Sequence, residues 1–241
     1  MFTMQRILLL SFLFNFSTLT FLKSQNWELG IMAGAASYRG DISVNFKTFL
    51  PQLGFSGGLY GRKFISDNFS TRLAFTYSQL SGNEAKYPTT DLWARRGFAY
   101  SGHITGVNGA IEWRPLGKTA LQPYLLGSIG GVSFDGQTTY NEPNTVISAE
   151  DIAKDKNAIY SKKTVFLGTG GGLQYFINED ISIGLELTLH ISLSDHLDGI
   201  ALIKGSKSKD FVTMGSFTIA KVFSGNGRGM SSRNVRCPSF N

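Results

Sequence analysis

The stretch "ISIGLELTLHISLS" occupies Ile181–Ser194. Every second residue is apolar: Ile181, Ile183, Leu185, Leu187, Leu189, Ile191 and Leu193. Between them lie Ser182, Gly184, Glu186, Thr188, His190, Ser192 and Ser194. A period of two belongs to a strand, whose successive side chains point to opposite faces. One face is greasy; the other is polar and holds a Glu and a His. A usual globular strand has about 5–6 residues, and a membrane-spanning one needs about 9–11. This stretch exceeds both and is expected to project past a membrane.

Seven more stretches share the pattern. They are 26–39 (Trp27, Leu29, Ile31, Ala33, Ala35), 52–64 (Leu53, Phe55, Gly57, Leu59), 69–81 (Thr71, Leu73, Phe75, Tyr77) and 98–114 (Val107, Ile111, Trp113). Then come 121–135 (Tyr124, Leu126, Val132, Phe134), 162–177 (Val165, Leu167, Leu173, Tyr175, Ile177) and 210–223 (Phe211, Phe217, Ile219, Phe223). Helical periodicity is hard to find. The connectors alternate in length: 40–51, 82–97, 136–161 and 195–209 are longer, while 65–68, 115–120 and 178–180 are tight. Long–short alternation is the habit of an up-and-down outer-membrane barrel, with short periplasmic turns and longer outer loops. The fold expected is therefore all-β, an eight-stranded antiparallel transmembrane barrel with both chain ends in the periplasm.

Solvation answers what the two faces are for. Hydrocarbon offers backbone groups no hydrogen bonds, so strands crossing it must close into a barrel. The outward face is then apolar, and polar inward groups must satisfy one another. Glu186 and His190 are tolerable inside because Arg62 and Arg72, at inward phase on the second and third strands, can pair with them. Gly168, Gly170 and Gly172 share one face, as do Gly54 and Gly58, and leave room on a crowded inner wall. An eight-stranded barrel is just wide enough for side chains to fill it, so no open channel is expected. Trp27, Trp113, Tyr124, Tyr175 and Phe223, near strand ends, are expected to form interfacial girdles. A soluble lipocalin-type barrel has the same alternation with the greasy face inward. Strand length, loop asymmetry and the Ser/Gly/Thr/charge content of the second face favour the membrane.

Residues 1–24 read as a secretory signal: Arg6 starts it, Ile7 to Leu22 is largely apolar, and Ser24 offers a small residue before a cut at Gln25. Leu22 departs from the small residue such sites prefer. Residues 25–224 make up the barrel and 225–241 a periplasmic tail. The net charge is +6, but Arg6 and Lys23 fall in the leader and Arg228, Arg233 and Arg236 in the tail, so the body is nearly neutral. That excludes the basic stripe of a nucleic-acid binder. The tail, "SGNGRGMSSRNVRCPSFN" (224–241), reads either as a disordered end or as a segment that orders against an acidic partner. Cys237 is the only cysteine; it can bond a partner's cysteine in an oxidising compartment but cannot form an internal disulfide.

Little else points to chemistry. His103, His190 and His196 have no metal-ligand spacing, and no metal or cofactor is expected. Ser194, Asp195, His196 and Asp198 supply hydrolase residue types in the fourth outer loop, yet nothing fixes a nucleophile beside a base. "GTGGG" at 168–172 opens no helix, as a phosphate-binding loop must. An enzyme is not expected. Arg39-Gly40-Asp41 spells an adhesion tripeptide, a match common by chance.

The segments "WELGIMAGAASYRGDI" (27–42), "LAFTYSQLSGNEA" (73–85), "QPYLLGSIGGVSF" (122–134) and "SDHLDGI" (194–200) resemble PorG-type outer-membrane proteins of the type IX secretion system of Bacteroidota. The family's first strand ends in a Tyr-x-Gly-Asp-aliphatic turn, met here by Tyr38, Gly40, Asp41 and Ile42. The resemblance implies a non-enzymatic barrel associated with the periplasmic ring of the lipoprotein PorK and of PorN. On that reading the periplasmic turns and Arg228, Arg233, Arg236 and Cys237 carry the contact. The alternative is a small OmpW-like pore.

Overall fold

A computed structural model describes residues 27–39, 52–84, 97–117, 119–139, 147–156, 161–193 and 210–223. Its strands are β1 Trp27–Arg39, β2 Gly54–Phe64, β3 Phe69–Asn83, β4 Ala99–Trp113, β5 Leu121–Thr139, β6 Lys163–Phe176, β7 Ile181–Ser192 and β8 Phe211–Phe223. Each pairs antiparallel with the next, and β8 returns to pair with β1, so the sheet closes and none of these strands is left as an edge. Among the described residues, no helix is long and apolar enough to cross a membrane; that does not bear on strands.

The three tight connections share one end of the barrel with the start of β1 and the end of β8. Each is fixed by local hydrogen bonding. Ser66 Oγ accepts from the amide of Phe69 at 3.1 Å, and Asn178 Oδ1 accepts from the amides of Asp180 and Ile181 at 2.9 and 2.8 Å, an Asx turn. Gly117 sits at φ 59°, where side chains are disfavoured. The first two turns are tied together: the Arg114 amide donates to Asn68 O at 2.7 Å and Asn68 Nδ2 to Arg114 O at 2.8 Å.

The outward face is apolar. Leu29, Ile31, Leu59, Leu73, Ile111, Ile129, Leu185 and Leu187 are all more than half exposed. At the short-turn end this belt is bounded by Trp27, Phe69, Trp113, Tyr175 and Phe223. Lys63 lies over the Trp27 ring at 5.6 Å and Lys221 over Phe223 at 5.5 Å, cation–π contacts beside the greasy belt.

Three expectations need correction. The face of β5 carrying Tyr124, Leu126, Val132 and Phe134 points inward, with Tyr124 only 3% exposed. The outward positions are Leu121, Leu125 and Ile129, separated by Pro123 and Gly127. Tyr124 therefore belongs to no girdle. β7 stops at Ser192, and the long projection belongs to β5, which has 19 residues. Above the belt, β3, β4 and β5 turn polar outward residues to the surroundings: Gln79, Ser81 and Asn83, then Ser101 and His103, then Ser133, Asp135 and Gln137. His103 stacks on Tyr77 with ring centroids 5.8 Å apart. Lys162 donates to Asp135 Oδ1 at 2.7 Å, and that bond and charge hold the Asp135 carboxyl below the usual carboxylate range.

The third correction is a helix. Within the connection from β5 to β6 lies α1, Ala149–Lys156. Ser148 caps it: the Asp151 amide donates to Ser148 Oγ at 3.1 Å, and Ser148 Oγ donates to Asp151 Oδ2 at 2.7 Å. This is a serine N-cap whose hydroxyl is held in place by the Asp151 carboxylate. Acids in its first turn and lysines in its last match the helix dipole.

Candidate functional site

The lumen is the candidate site, and its filling changes with height. Near the short turns, β1 to β7 aim polar side chains at a common centre. Arg62 sits directly opposite Arg72 in the β2–β3 register, a like-charge pair that repels unless anions intervene. Glu112 intervenes. It accepts from Arg62 Nη2 at 3.1 Å on Oε1, and Arg72 Nε lies 3.5 Å from the same oxygen. Its other oxygen accepts from Arg114 Nη2 at 2.8 Å and Ser70 Oγ at 2.7 Å. Arg62 Nε is 2.8 Å from that second oxygen but finds no hydrogen-bond angle, so the contact is ionic only.

The arginines are balanced on their far sides. Arg62 Nη1 donates to Glu28, which also accepts from Tyr60 Oη at 3.0 Å and Gln174 Nε2 at 2.6 Å. Arg72 makes a two-bond fork to Glu186, at 2.5 and 3.0 Å, the geometry that suits a guanidinium. Tyr124 Oη donates to Glu186 as well, at 2.7 Å. Arg114 Nη1 donates to Gln122 and Gln174, both at 2.8 Å. Arg62, Arg72 and Arg114 thus meet Glu28, Glu112 and Glu186, three charges of each sign, all buried. Isolated charges there would be prohibitive; matched and hydrogen-bonded ones are tolerable.

Glycine makes one of these contacts possible. Tyr124, Gly172 and Glu186 are aligned across β5, β6 and β7. A Cβ at Gly172 would lie 2.6 Å from the Tyr124 ring, so only glycine lets Tyr124 reach Glu186 across β6.

At the long-loop end the filling is apolar. Tyr38, Leu80, Phe98, Tyr100, Ile104, Phe134, Phe166 and Val212 form one buried cluster, and α1 drops Ile152, 2% exposed, into it. Two polar contacts lie beside it: Tyr38 Oη donates to Asp210 at 2.7 Å, and Glu84 accepts from the Phe98 amide at 3.1 Å.

Of the residues singled out by sequence, Arg62, Arg72, Glu186 and His190 all point inward. Arg72 meets Glu186, while Arg62 meets Glu28 and Glu112 instead. His190 stands apart from the ion network, with Nε2 3.1 Å from Thr188 Oγ1 and its ring 6.1 Å from Phe166. Arg228, Arg233, Arg236 and Cys237 lie outside the described residues, as do Ser194, Asp195, His196 and Asp198. Sequence reading missed Glu28, Glu112 and Arg114. Their signal is the one that marked Glu186, a charge at the polar phase of a greasy strand: "WEL" and "IEWR". Among the described residues, no three His, Cys, Asp or Glu side chains gather as metal ligands.

The class defined by this geometry is a closed eight-stranded barrel turned inside out, apolar outside and ionic within. A family model described as a domain of unknown function, DUF6089, matches residues 6–225, and the chain belongs to that family. No curated protein matches it. Among solved structures it is similar to Neisserial surface protein A, at 12% identity and TM-score 0.46, over 82% of this chain and 97% of that one. It is also similar to a major outer membrane protein from Thermus thermophilus (14%, TM-score 0.45, 82% and 99%). The attachment invasion locus protein Ail of Yersinia pestis is a third (11%, TM-score 0.43, 83% and 99%). Likenesses at these identities transfer no function.

Proposed function

We propose that this chain is a non-enzymatic outer-membrane barrel that serves a protein-secretion assembly as an anchor rather than a conduit. The carrying observation is the pairing of an apolar exterior with a lumen that holds a matched ion network near the short turns and a buried apolar cluster near the long loops. A barrel with that exterior is unstable in water and at home in hydrocarbon. Side chains filling both ends of the lumen among the described residues favour an anchor over the OmpW-like pore.

The finer reading rests on the PorG-type resemblance. The barrel belongs to the type IX secretion system, enters the outer membrane behind the signal of residues 1–24, and keeps both termini in the periplasm. There its short turns and the segment Arg228, Arg233, Arg236 and Cys237 contact the PorK/PorN ring, with Cys237 available for a disulfide to the partner. Truncation after Phe223 tests this. The shortened chain is expected to insert normally and to lose the ring on co-purification. Recovery of the ring at the wild-type yield contradicts the tail's role, and steady single-channel currents from the purified wild-type barrel contradict the anchor.

A further inference from the structure

Toward the short-turn end, the outward face of the described strands carries two charges, and both are lysines: Lys63 on β2 and Lys221 on β8. They flank β1, on the seam where β8 returns to close the barrel. Trp27 pairs with Lys63 on one side and with Phe223 on the other, and Lys221 pairs with Leu29 on β1 and Ile181 on β7. Outward positions at the same end of the other strands, Phe69, Thr71, Trp113, Leu121, Tyr175 and Ile181, are uncharged. Charge of one sign is therefore gathered on one meridian of an otherwise neutral girdle.

Both ammonium groups lean onto aromatic faces. Lys63 Nζ lies 5.6 Å from the centre of the Trp27 ring, and Lys221 Nζ lies 5.5 Å from that of Phe223. Trp27 and Phe223 are opposed across the β1–β8 ladder, where facing side chains stand about 5 Å apart, so the two ammonium groups bracket one spot. A charge on a lipid-facing strand is costly except near the interface. A lysine there keeps its stem in the apolar layer and turns its head toward the polar one. Lys221 does this: its backbone is level with Leu29 and Ile181, and its head reaches along β8 to Phe223. The acids at this end, Asp67, Glu179 and Asp180, sit in turns, and neither lysine has a carboxylate partner among the described residues. On the side toward the long loops, Leu29, Ile31 and Ile219 continue the exposed greasy wall. Positive charge at one end and apolar surface at the other complement a molecule with a phosphate at its head and hydrocarbon behind it.

We propose that Lys63 and Lys221, with Trp27 and Phe223 between them, form a site for one anionic glycerophospholipid, its phosphate between the two ammonium groups and its acyl chains along Leu29, Ile31 and Ile219. The site rests on the membrane placement proposed above and selects a lipid from the leaflet that meets the short turns.

Native mass spectrometry of the whole barrel released from detergent micelles tests this, with phosphatidylglycerol and phosphatidylcholine as probes. The wild-type protein is expected to bind phosphatidylglycerol about tenfold more tightly, the order that two lysines beside a phosphate supply. Lys63→Gln combined with Lys221→Gln is expected to bring the two lipids level. Both side chains lie on the outer surface, so unchanged gel mobility is expected to show that the variant folds. Lys162→Gln with Lys163→Gln, at the opposite rim, is expected to keep the preference. Inorganic phosphate is expected not to displace the lipid, because the acyl chains share in the binding. Equal uptake of the two lipids by the wild type, a preference that survives the double change, or displacement by inorganic phosphate each overturns the site. Uptake of neither lipid overturns the membrane placement along with it, so the two failures are told apart.

Discussion

The two ends of this lumen solve one problem with opposite chemistry. At the short-turn end, three arginines and three glutamates fill the barrel and satisfy one another; at the long-loop end, aromatic and aliphatic side chains fill it, with a helix supplying the last residue. The ion network uses strand residues and turn-end Arg114 only, held in register by the ladder that closes the barrel. The apolar cluster borrows Ile152 from a connection. Charge matching demands fixed geometry, because a guanidinium must meet its carboxylate within hydrogen-bond reach. Apolar packing is non-directional and tolerates a contribution from a loop. The directional filling therefore sits where connections are tightest, and the non-directional one where they are longest.

The contrast can be broken at several strengths, each read as unfolding free energy in micelles with gel mobility as the folding control. Arg62→Ala is expected to be worst, at roughly 3–5 kcal/mol, since it strips Glu28 and leaves Glu112 under-compensated in a buried site. Leu80→Ala in the apolar cluster should cost about 2–4 kcal/mol, the transfer and cavity cost of a buried leucine. A smaller loss from Arg62→Ala than from Leu80→Ala would show that the ion network is not what fixes the lower lumen. Removing a whole pair, Arg72→Met with Glu186→Met, should cost far less than either single change, because no charge is orphaned. Equal losses from the pair and the singles would break the charge-balance account. Lys162→Ala, at the exposed rim, should leave stability unchanged within error.

Much of the barrel was legible in the sequence, because its one demand, a greasy outer face, repeats every second residue. β2, β3, β6 and β8 begin and end within two residues of the alternating runs. β5 misled because its outer face is thinned by Gly127 and Gly131 while its inner face holds Tyr124, Leu126 and Phe134, so the count of apolar residues favoured the wrong side. Alternation says that two faces differ; only closure with neighbours says which is inside. Helix α1 was hidden because it is short and carries a single buried residue, although Ser148 and Asp151 spell its cap. Glu28, Glu112 and Arg114 were visible by the same sign as Glu186. What was not visible is who pairs with whom, since register sets Arg62 on Glu28 and Arg72 on Glu186.

The claim beneath all of this is the direction of the β7 side chains, and a nitroxide scan along Ser182–Leu193 in lipid vesicles tests it most directly. Collision with dissolved oxygen should peak at Ile183, Leu185, Leu187, Leu189 and Ile191 and fall at Ser182, Gly184, Glu186, Thr188, His190 and Ser192. Peaks at the even positions, or no alternation, would mean that the greasy face does not meet lipid.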